Sequence, residues 1–404
     1  MAIQSLRGMK DIWANDGELF AYFVENASQI AKKYGFSFIK TPLLEETLLF
    51  KRSVGDSSDI VNKEMYQFVD KGDNDVCLRP EGTAGVVRSF VQNKLDRAGG
   101  MHRFFYHGSM FRYERPQKGR FREFNQFGCE SFGSASVYED ATIILMIRDI
   151  LDFFGVQFEL HLNSLGCQEC MPAYKEKLVA NLDSFKESLC EDCNKRILSN
   201  PIRVLDCKNE NCKELTKNSP KITDNLCQNC YNDFEKLKNI LAYNDVKFVI
   251  NKNLVRGLDY YTKSAFEFVS SEIGAQSAIA GGGRYDKLVE FLGGRPTPAV
   301  GFAIGIERIL ELIKPKICDN EVYFFGTTTP DALDLIFSLG IKKRKNFKTI
   351  IETQNRSFVK LLELASKNNA DIVAIIGENE LKQRQIWTKN NKTKEEKIIS
   401  IEEI

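Results

Sequence analysis

The sequence predicts a mixed α/β (α+β) protein: an antiparallel sheet flanked by helices, followed by a second, smaller α/β domain. Three observations carry this expectation. Residues 103–113 and 121–132 are two long segments of alternating side chains joined by a polar loop. Between about residues 165 and 246 the alternation gives way to helical periodicity and a cysteine cluster, as an inserted module would. After residues 314–320, whose Pro315 marks the best linker, strand and helix patterns alternate. The expected domains are therefore 1–318, with the inserted helical, cysteine-rich module at about 165–246, and 319–404. A length of 404 residues suits two or three domains.

A hydrophobic content of 43% and a charged content of 27% provide for a core and a solvated surface. The net charge of +1 excludes a general polyanion binder, so any nucleic-acid contact has to come from local clusters. The N-terminal MAIQSLRGMKD lacks an apolar signal region, and no apolar run approaches membrane-spanning length. A cytoplasmic protein without membrane contact is expected.

Taken in order, Asn15 or Asp16 caps a helix that buries Leu19, Phe20, Phe23, Val24, Ala27 and Ile30 and stops at Gly35. Residues 36–40 form a short strand ended by Thr41-Pro42, and proline, which cannot donate to a ladder, puts it at an edge. Residues 50–60 are polar and read as a loop. Residues 65–69 and 76–78 flank Lys71-Gly72-Asp73, a hairpin signal. Thr83 then caps a helix beginning at Ala84, with Glu81 just outside its positive end. After the long hairpin come a helix at 138–154, a strand at 158–162 and module helices at 175–189 and 231–241. Strands resume at 246–250, 265–269, 276–280 and 300–304, with a helix at 306–313. The C-terminal pattern is strand 322–325, helix 330–339, strand 349–352, helix 357–366, strand 371–376 and a terminal pair near 386–388 and 397–401.

Chemistry collects on the long hairpin. Arg122, Phe124, Gln126, Gly128 and Glu130 share one face of its second strand, and Gly128 leaves a gap between two polar groups with room for a small ligand. Arg112 ends the first strand near that floor. The loop carries Arg115, Lys118 and Arg120, more cations than a hairpin connection needs, which points to an anion. Farther on, Val255-Arg256-Gly257-Leu258-Asp259-Tyr260-Tyr261 places an arginine, an acid and two phenols in a tight turn. Ala280-Gly281-Gly282-Gly283-Arg284-Tyr285-Asp286 reads as a sharp bend where backbone approaches a ligand. The GxGxxG and GxxxxGK[ST] spacings are absent, so bound phosphate has to be held by arginines. Arg112, Arg256 and Arg308 are the candidates, Arg308 lying in the first turn of the helix after Gly305. Any one of them alone reads more readily as a surface ion pair.

Together these stretches resemble the class II aminoacyl-tRNA synthetases and, within them, the histidyl-tRNA synthetase family. Residues 35–42 resemble the family's dimer-forming motif 1, 111–130 its motif 2 and 301–308 its motif 3. Residues 254–261 and 280–286 match the two signatures peculiar to the histidine enzymes. The resemblance implies a class II antiparallel-sheet catalytic domain and a C-terminal anticodon-binding domain. It implies ligation of L-histidine to tRNA(His) through an adenylate, with ATP and Mg²⁺ required and a homodimer formed. Glu81, Thr83 and Gln126 would hold the ammonium of histidine, with Glu130, Tyr260 and Tyr261 around its imidazole. Arg112, Arg256 and Arg308 would be catalytic, Arg112, Glu114 and Arg308 would hold ATP, and Arg115, Gln117, Arg120 and Arg122 would meet the tRNA acceptor end. A non-catalytic paralogue of the family, serving as a regulatory subunit in histidine biosynthesis, and a plain RNA-binding protein are the rival readings.

Eight of the 11 cysteines lie between Cys167 and Cys230. Cys167/Cys170, Cys190/Cys193 and Cys227/Cys230 are CxxC pairs, and Cys207/Cys212 is looser. Four thiolates bind Zn²⁺ tetrahedrally, so eight suffice for two structural sites, and reduced buried thiols are the alternative. Spacing does not fix which pairs join.

Overall fold

The computed structural model describes residues 3–55, 58, 60–117, 119–207, 209–255, 258, 260–276, 278–313 and 321–404. The chain divides into two units, Met1–Pro315 and Lys316–Ile404. The expected linker at 314–320, together with Arg256 and Lys118, lies outside the described residues.

In the first unit, α1 (Ala14–Lys33) buries Phe23, Ala27 and Ala31. Its N-cap is Trp13 and no side chain caps it, so Asn15 and Asp16 fall inside the helix rather than before it. Then come β1 (Ser37–Phe38), β2 (Leu44–Glu46) and α2 (Thr47–Val54). The helix α2 replaces the loop expected from residue 50, because Leu49, Phe50 and Val54 supply a buried stripe at helical spacing. The hairpin signal holds as β3 (Tyr66–Val69) and β4 (Asp75–Leu78). Helices α3 (Thr83–Gln92) and α4 (Leu95–Ala98) lead into β5 (His102–Phe111) and β6 (Glu123–Phe132), the long antiparallel pair. The central helix α5 (Val137–Phe153) follows, and then β7 (Glu159–Ser164).

The inserted module holds α6 (Met171–Asp183), α7 (Glu191–Ser199), α8 (Glu210–Thr216) and the start of α9 (Gln228–Tyr243). Cys230 of α9 sits in the module's own core, whereas Phe234, Leu237 and Leu241 join the core of the main sheet. The chain returns through β8 (Val249–Ile250), β9 (Thr262–Val269), β10 (Ala278–Arg284), α10 (Leu288–Phe291), β11 (Ala299–Gly305) and α11 (Ile306–Leu310).

The eight-stranded sheet runs β1-β5-β6-β11-β10-β9-β7-β8, antiparallel except for the parallel pairs at its two ends. Strand β1, followed by Pro42, is an edge as expected. Period-two alternation sorts the faces. Phe127 and Cys129 of β6, Val300, Phe302 and Ile304 of β11, and Phe266 and Phe268 of β9 join the core under α1, α5 and α11. Gln126, Gly128 and Glu130 therefore look the other way, toward Thr83 of α3, Tyr260 and Tyr261.

The second unit is a five-stranded mixed sheet ordered β13-β12-β14-β15-β16. In chain order its elements are β12 (Val322–Thr327), α12 (Leu333–Lys343), β13 (Lys348–Ile351), α13 (Phe358–Lys367), β14 (Ile372–Ile376), α14 (Glu378–Gln383), β15 (Gln385–Asn390) and β16 (Glu396–Ser400). The Ser357 hydroxyl accepts from Lys360 N and caps α13.

Candidate active site

Register builds the floor. Glu267, Gly281, Ala303, Gly128 and Tyr106 are successive cross-strand partners across β9, β10, β11, β6 and β5. In the middle of that row the small residues Gly281 and Ala303 line a depression beside larger side chains. The Gly281–Gly283 run is thus strand, inside β10, and not the expected bend.

Gly128 is not an open gap. A Cβ there would collide with the Tyr106 ring, and so would one at Gly82, so the ring lies between the two glycines. Alternation alone cannot show this, because the ring comes from the neighbouring strand.

Beneath it, Glu130 is wholly buried. Its Oε1 accepts from Thr83 Oγ1 at 2.7 Å and from the Tyr106 hydroxyl at 3.1 Å, while its Oε2 accepts from the Tyr285 hydroxyl. Burial pushes its carboxyl up from 4.5 to about 8, against the lowering effect of the hydroxyl donors. Tyr106 and Tyr285 were missed by sequence reasoning, although Tyr285 stands in a stretch it singled out. Gly301 permits this packing, since a Cβ there would strike the Glu130 carboxylate.

Thr83 is the first residue of α3 and not its cap. Glu81 takes that role, its carboxylate accepting from Thr83 N at 2.6 Å and Ala84 N at 2.8 Å. Burial raises the Glu81 carboxyl above its usual range. The Thr83 hydroxyl is freed to reach Glu130.

A cavity of about 210 Å³ opens above the floor, lined among others by Glu81, Thr83, Gln126, Tyr260 and Tyr261 and by Arg112, Glu114, Arg120 and Arg308. Gln126 Oε1 is buried without a hydrogen-bond partner among the described residues, an acceptor awaiting a donor. Glu130 does not line the cavity.

At the cationic side, Arg112 donates from Nε to Pro80 O at 2.9 Å and lies 5.2 Å from the Phe124 ring centroid. Arg308 donates from Nη1 to Ala278 O and from Nε to Gly119 O at 3.3 Å. Burial lowers the Arg308 guanidinium, and repulsion from Arg120 and Arg112 lowers it further. Helix α11 has five residues, so its dipole adds little and the side chains supply the field. Arg120 pairs with Glu114 at 3.0 Å. Arg115 and Gln117 are exposed. Arg122 lies 3.7 Å from the Tyr113 ring centroid, with its Nε donating to Glu114 O at 3.3 Å.

Arg284 takes no part in the cavity. It is buried against Asp140 and Asp286 and donates to Ser134 O and Ser136 O. In the module the eight cysteines form two tetrads, Cys167, Cys170, Cys227 and Cys230, and Cys190, Cys193, Cys207 and Cys212. Within each tetrad all four sulfurs lie within 4.8 Å of one another. Among the described residues no helix is long and apolar enough to cross a membrane.

The fold is similar to the crystal structure of apo Staphylococcus aureus histidyl-tRNA synthetase, with a TM-score of 0.83 and 32% identity over 99% of this chain and 98% of that one. The family model described as histidyl-tRNA synthetase matches residues 8–309. A histidine–tRNA ligase of Sulfurimonas denitrificans is 61% identical over 98% of both chains, and one of Sulfurovum sp. is 58% identical over the whole of both. The chain belongs to the histidyl-tRNA synthetase family.

Proposed function

We propose that the chain activates L-histidine with ATP and transfers it to tRNA(His), releasing AMP and pyrophosphate. One observation carries this reading beyond family membership. A single cavity is lined both by buried acceptors and by arginines, which suits an ammonium beside a polyphosphate. Glu81, Thr83 and Gln126 hold the ammonium, with the unpartnered Gln126 Oε1 accepting from it. Tyr261 and Tyr260 border the imidazole. Glu130 already takes three hydroxyl donors, and a carboxylate has about four acceptor positions. Histidine's ring N–H reaches the fourth only if the Tyr106 ring, which lies between Gly128 and Gly82, gives way. A site built for two polar nitrogens rejects an apolar isostere by about 10⁴-fold.

Arg112, Arg308 and Arg256 neutralise the phosphates and the reacting carboxylate, and Glu114 helps to seat ATP. A carboxylate oxygen forms a bond to the α-phosphorus as the bond to pyrophosphate breaks. The nucleophile is already ionised, so positioning and charge neutralisation supply the rate. Mg²⁺ would enter with ATP and would add to the charge neutralisation that Arg112 and Arg308 supply. A terminal ribose hydroxyl of tRNA then attacks the adenylate, with Arg115, Gln117, Arg120 and Arg122 toward the acceptor end. The unit 316–404 serves as the anticodon-binding domain, and the inserted module holds structural Zn²⁺.

A homodimer follows from the same reading. It is supported by exposed apolar side chains within residues 38–68, Phe38, Leu43, Leu44, Leu48 and Phe68. A regulatory subunit fits less well, since relatives at 61% and 58% identity are named ligases.

The test is charging of tRNA(His) with labelled histidine by the purified chain. Acid-insoluble label that depends on ATP and tRNA supports the reading, and its absence with active control tRNA defeats it.

A further inference from the structure

The two cysteine tetrads differ in what they touch. In the first, Cys167 Sγ lies 3.8 Å from Cys170 Sγ and 3.9 Å from Cys227 Sγ, and in the second Cys190 Sγ lies 3.9 Å from Cys207 Sγ. A tetrahedron with metal–sulfur bonds of about 2.3 Å has sulfur–sulfur edges of about 3.8 Å, whereas a disulfide is about 2.05 Å. Backbone N–H groups support the sulfurs: Cys227 N donates to Cys170 Sγ at 3.1 Å, Cys190 N to Cys212 Sγ at 3.3 Å and Asn209 N to Cys207 Sγ at 3.4 Å. Such donors hold a thiolate ready for a metal. Four sulfurs in this shape suit zinc.

The second tetrad is confined to the module, on α7 and its N-cap, on α8 and on the segment between them. The first sits where the module joins the sheet. Just before Cys167, Leu165 N donates to Lys263 O at 2.6 Å, and Lys263 N donates to Gly166 O at 2.7 Å. One turn beyond Cys230, Asp233 pairs with Lys263 Nζ at 3.2 Å. Lys263 follows Tyr260, Tyr261 and Thr262, and both tyrosines line the cavity. The chain on either side of this tetrad thus grips the segment that presents the tyrosines.

From this geometry we infer that the module binds two zinc ions, and that the ion at Cys167, Cys170, Cys227 and Cys230 is a positioning element for Tyr260 and Tyr261. The ion at Cys190, Cys193, Cys207 and Cys212 stabilises the module alone. The assignment of histidine as the ligand of those tyrosines rests on the proposed function, while the metal content does not.

Elemental analysis of the full chain, purified without chelator, should give two zinc per chain, with no iron. A chain with no metal, or with iron in place of zinc, overturns the inference. Cobalt(II) given to the chelator-stripped wild type should show tetrahedral thiolate absorption at two equivalents, and its failure to do so also overturns it. Cys227→Ser and Cys207→Ser should each lose one zinc. In histidine-dependent ATP–pyrophosphate exchange, Cys227→Ser should raise KM for histidine about tenfold with KM for ATP unchanged, while Cys207→Ser leaves both at the wild-type values. Equal effects of the two variants on KM for histidine, or a parallel loss in both substrates' KM values, overturn the positioning role. If the wild type itself exchanges nothing with histidine, the proposed function fails and the zinc counts still stand or fall separately.

Discussion

The Tyr106 hydroxyl donates to the Glu130 carboxylate at 3.1 Å, and the ring that carries it fills the space above Gly128. This pair separates the cavity from the buried acid beneath it. Removing the hydroxyl in Tyr106→Phe takes away one donor that holds the Glu130 carboxyl down, so its ionisation moves further above about 8. In exchange assays KM for histidine should change with little change in KM for ATP, and the pH at which KM for histidine breaks should rise. An unshifted break disconnects Tyr106 from Glu130.

Glu130 also links stability to pH. Its carboxyl is raised from 4.5 to about 8 in the folded chain, mainly by burial. Stability from this group is therefore fully present below pH 4.5 and is lost as pH rises through about 8. Urea midpoints at pH 6 and pH 9 should fall for the wild type more than for Glu130→Gln, which has no proton to lose. Parallel slopes in the two proteins contradict the assignment.

Arg284 and Asp140 form a buried pair away from the cavity, with side-chain exposures of 2% each. Asp140→Ala leaves the guanidinium uncompensated and should destabilise the chain by about 3–5 kcal/mol in urea unfolding. A cost near zero means that Asp286 and the carbonyls of Ser134 and Ser136 satisfy Arg284 alone.

These pairs show where the sequence was legible. Alternation on residues 121–132 gave the shared face of Gln126, Gly128 and Glu130, and Pro42 gave the edge strand. What alternation cannot convey is which neighbour lies across a strand. That is why Tyr106 over Gly128 and Tyr285 under Glu130 went unread, and why Glu130 stands behind the cavity and not in it. The Gly281–Gly283 run looked like a bend because glycine is rare in strands, yet it is strand, and Gly281 lines the cavity. The residues flanking the helix starts were read one position out at Thr83, because the carboxylate of Glu81 caps α3 from two residues earlier. The partition of the cysteines needed the fold, since spacing does not say which pairs join.

Arg112 offers a test of charge at the reacting end. Arg112→Ala should lower kcat for exchange by about 10²–10³, and Arg112→Lys should restore little of it, since a point charge lacks the planar fork. Full rescue by lysine shows that positive charge alone suffices there.

Arg115 is exposed on the loop after β5, and the described residues place it outside the lining of the cavity. Arg115→Ala should slow transfer to tRNA several-fold and leave exchange within about twofold of wild type, a surface charge acting on encounter. A matching loss in both reactions puts Arg115 in amino-acid activation instead.

The central claim, that the acceptors around Gln126 and the arginines around Arg308 serve one reaction, is tested most directly by ATP–pyrophosphate exchange on the purified chain. The account predicts exchange that depends on L-histidine and that phenylalanine, lacking the two ring nitrogens, does not support. A chain that binds histidine and exchanges no pyrophosphate would contradict it.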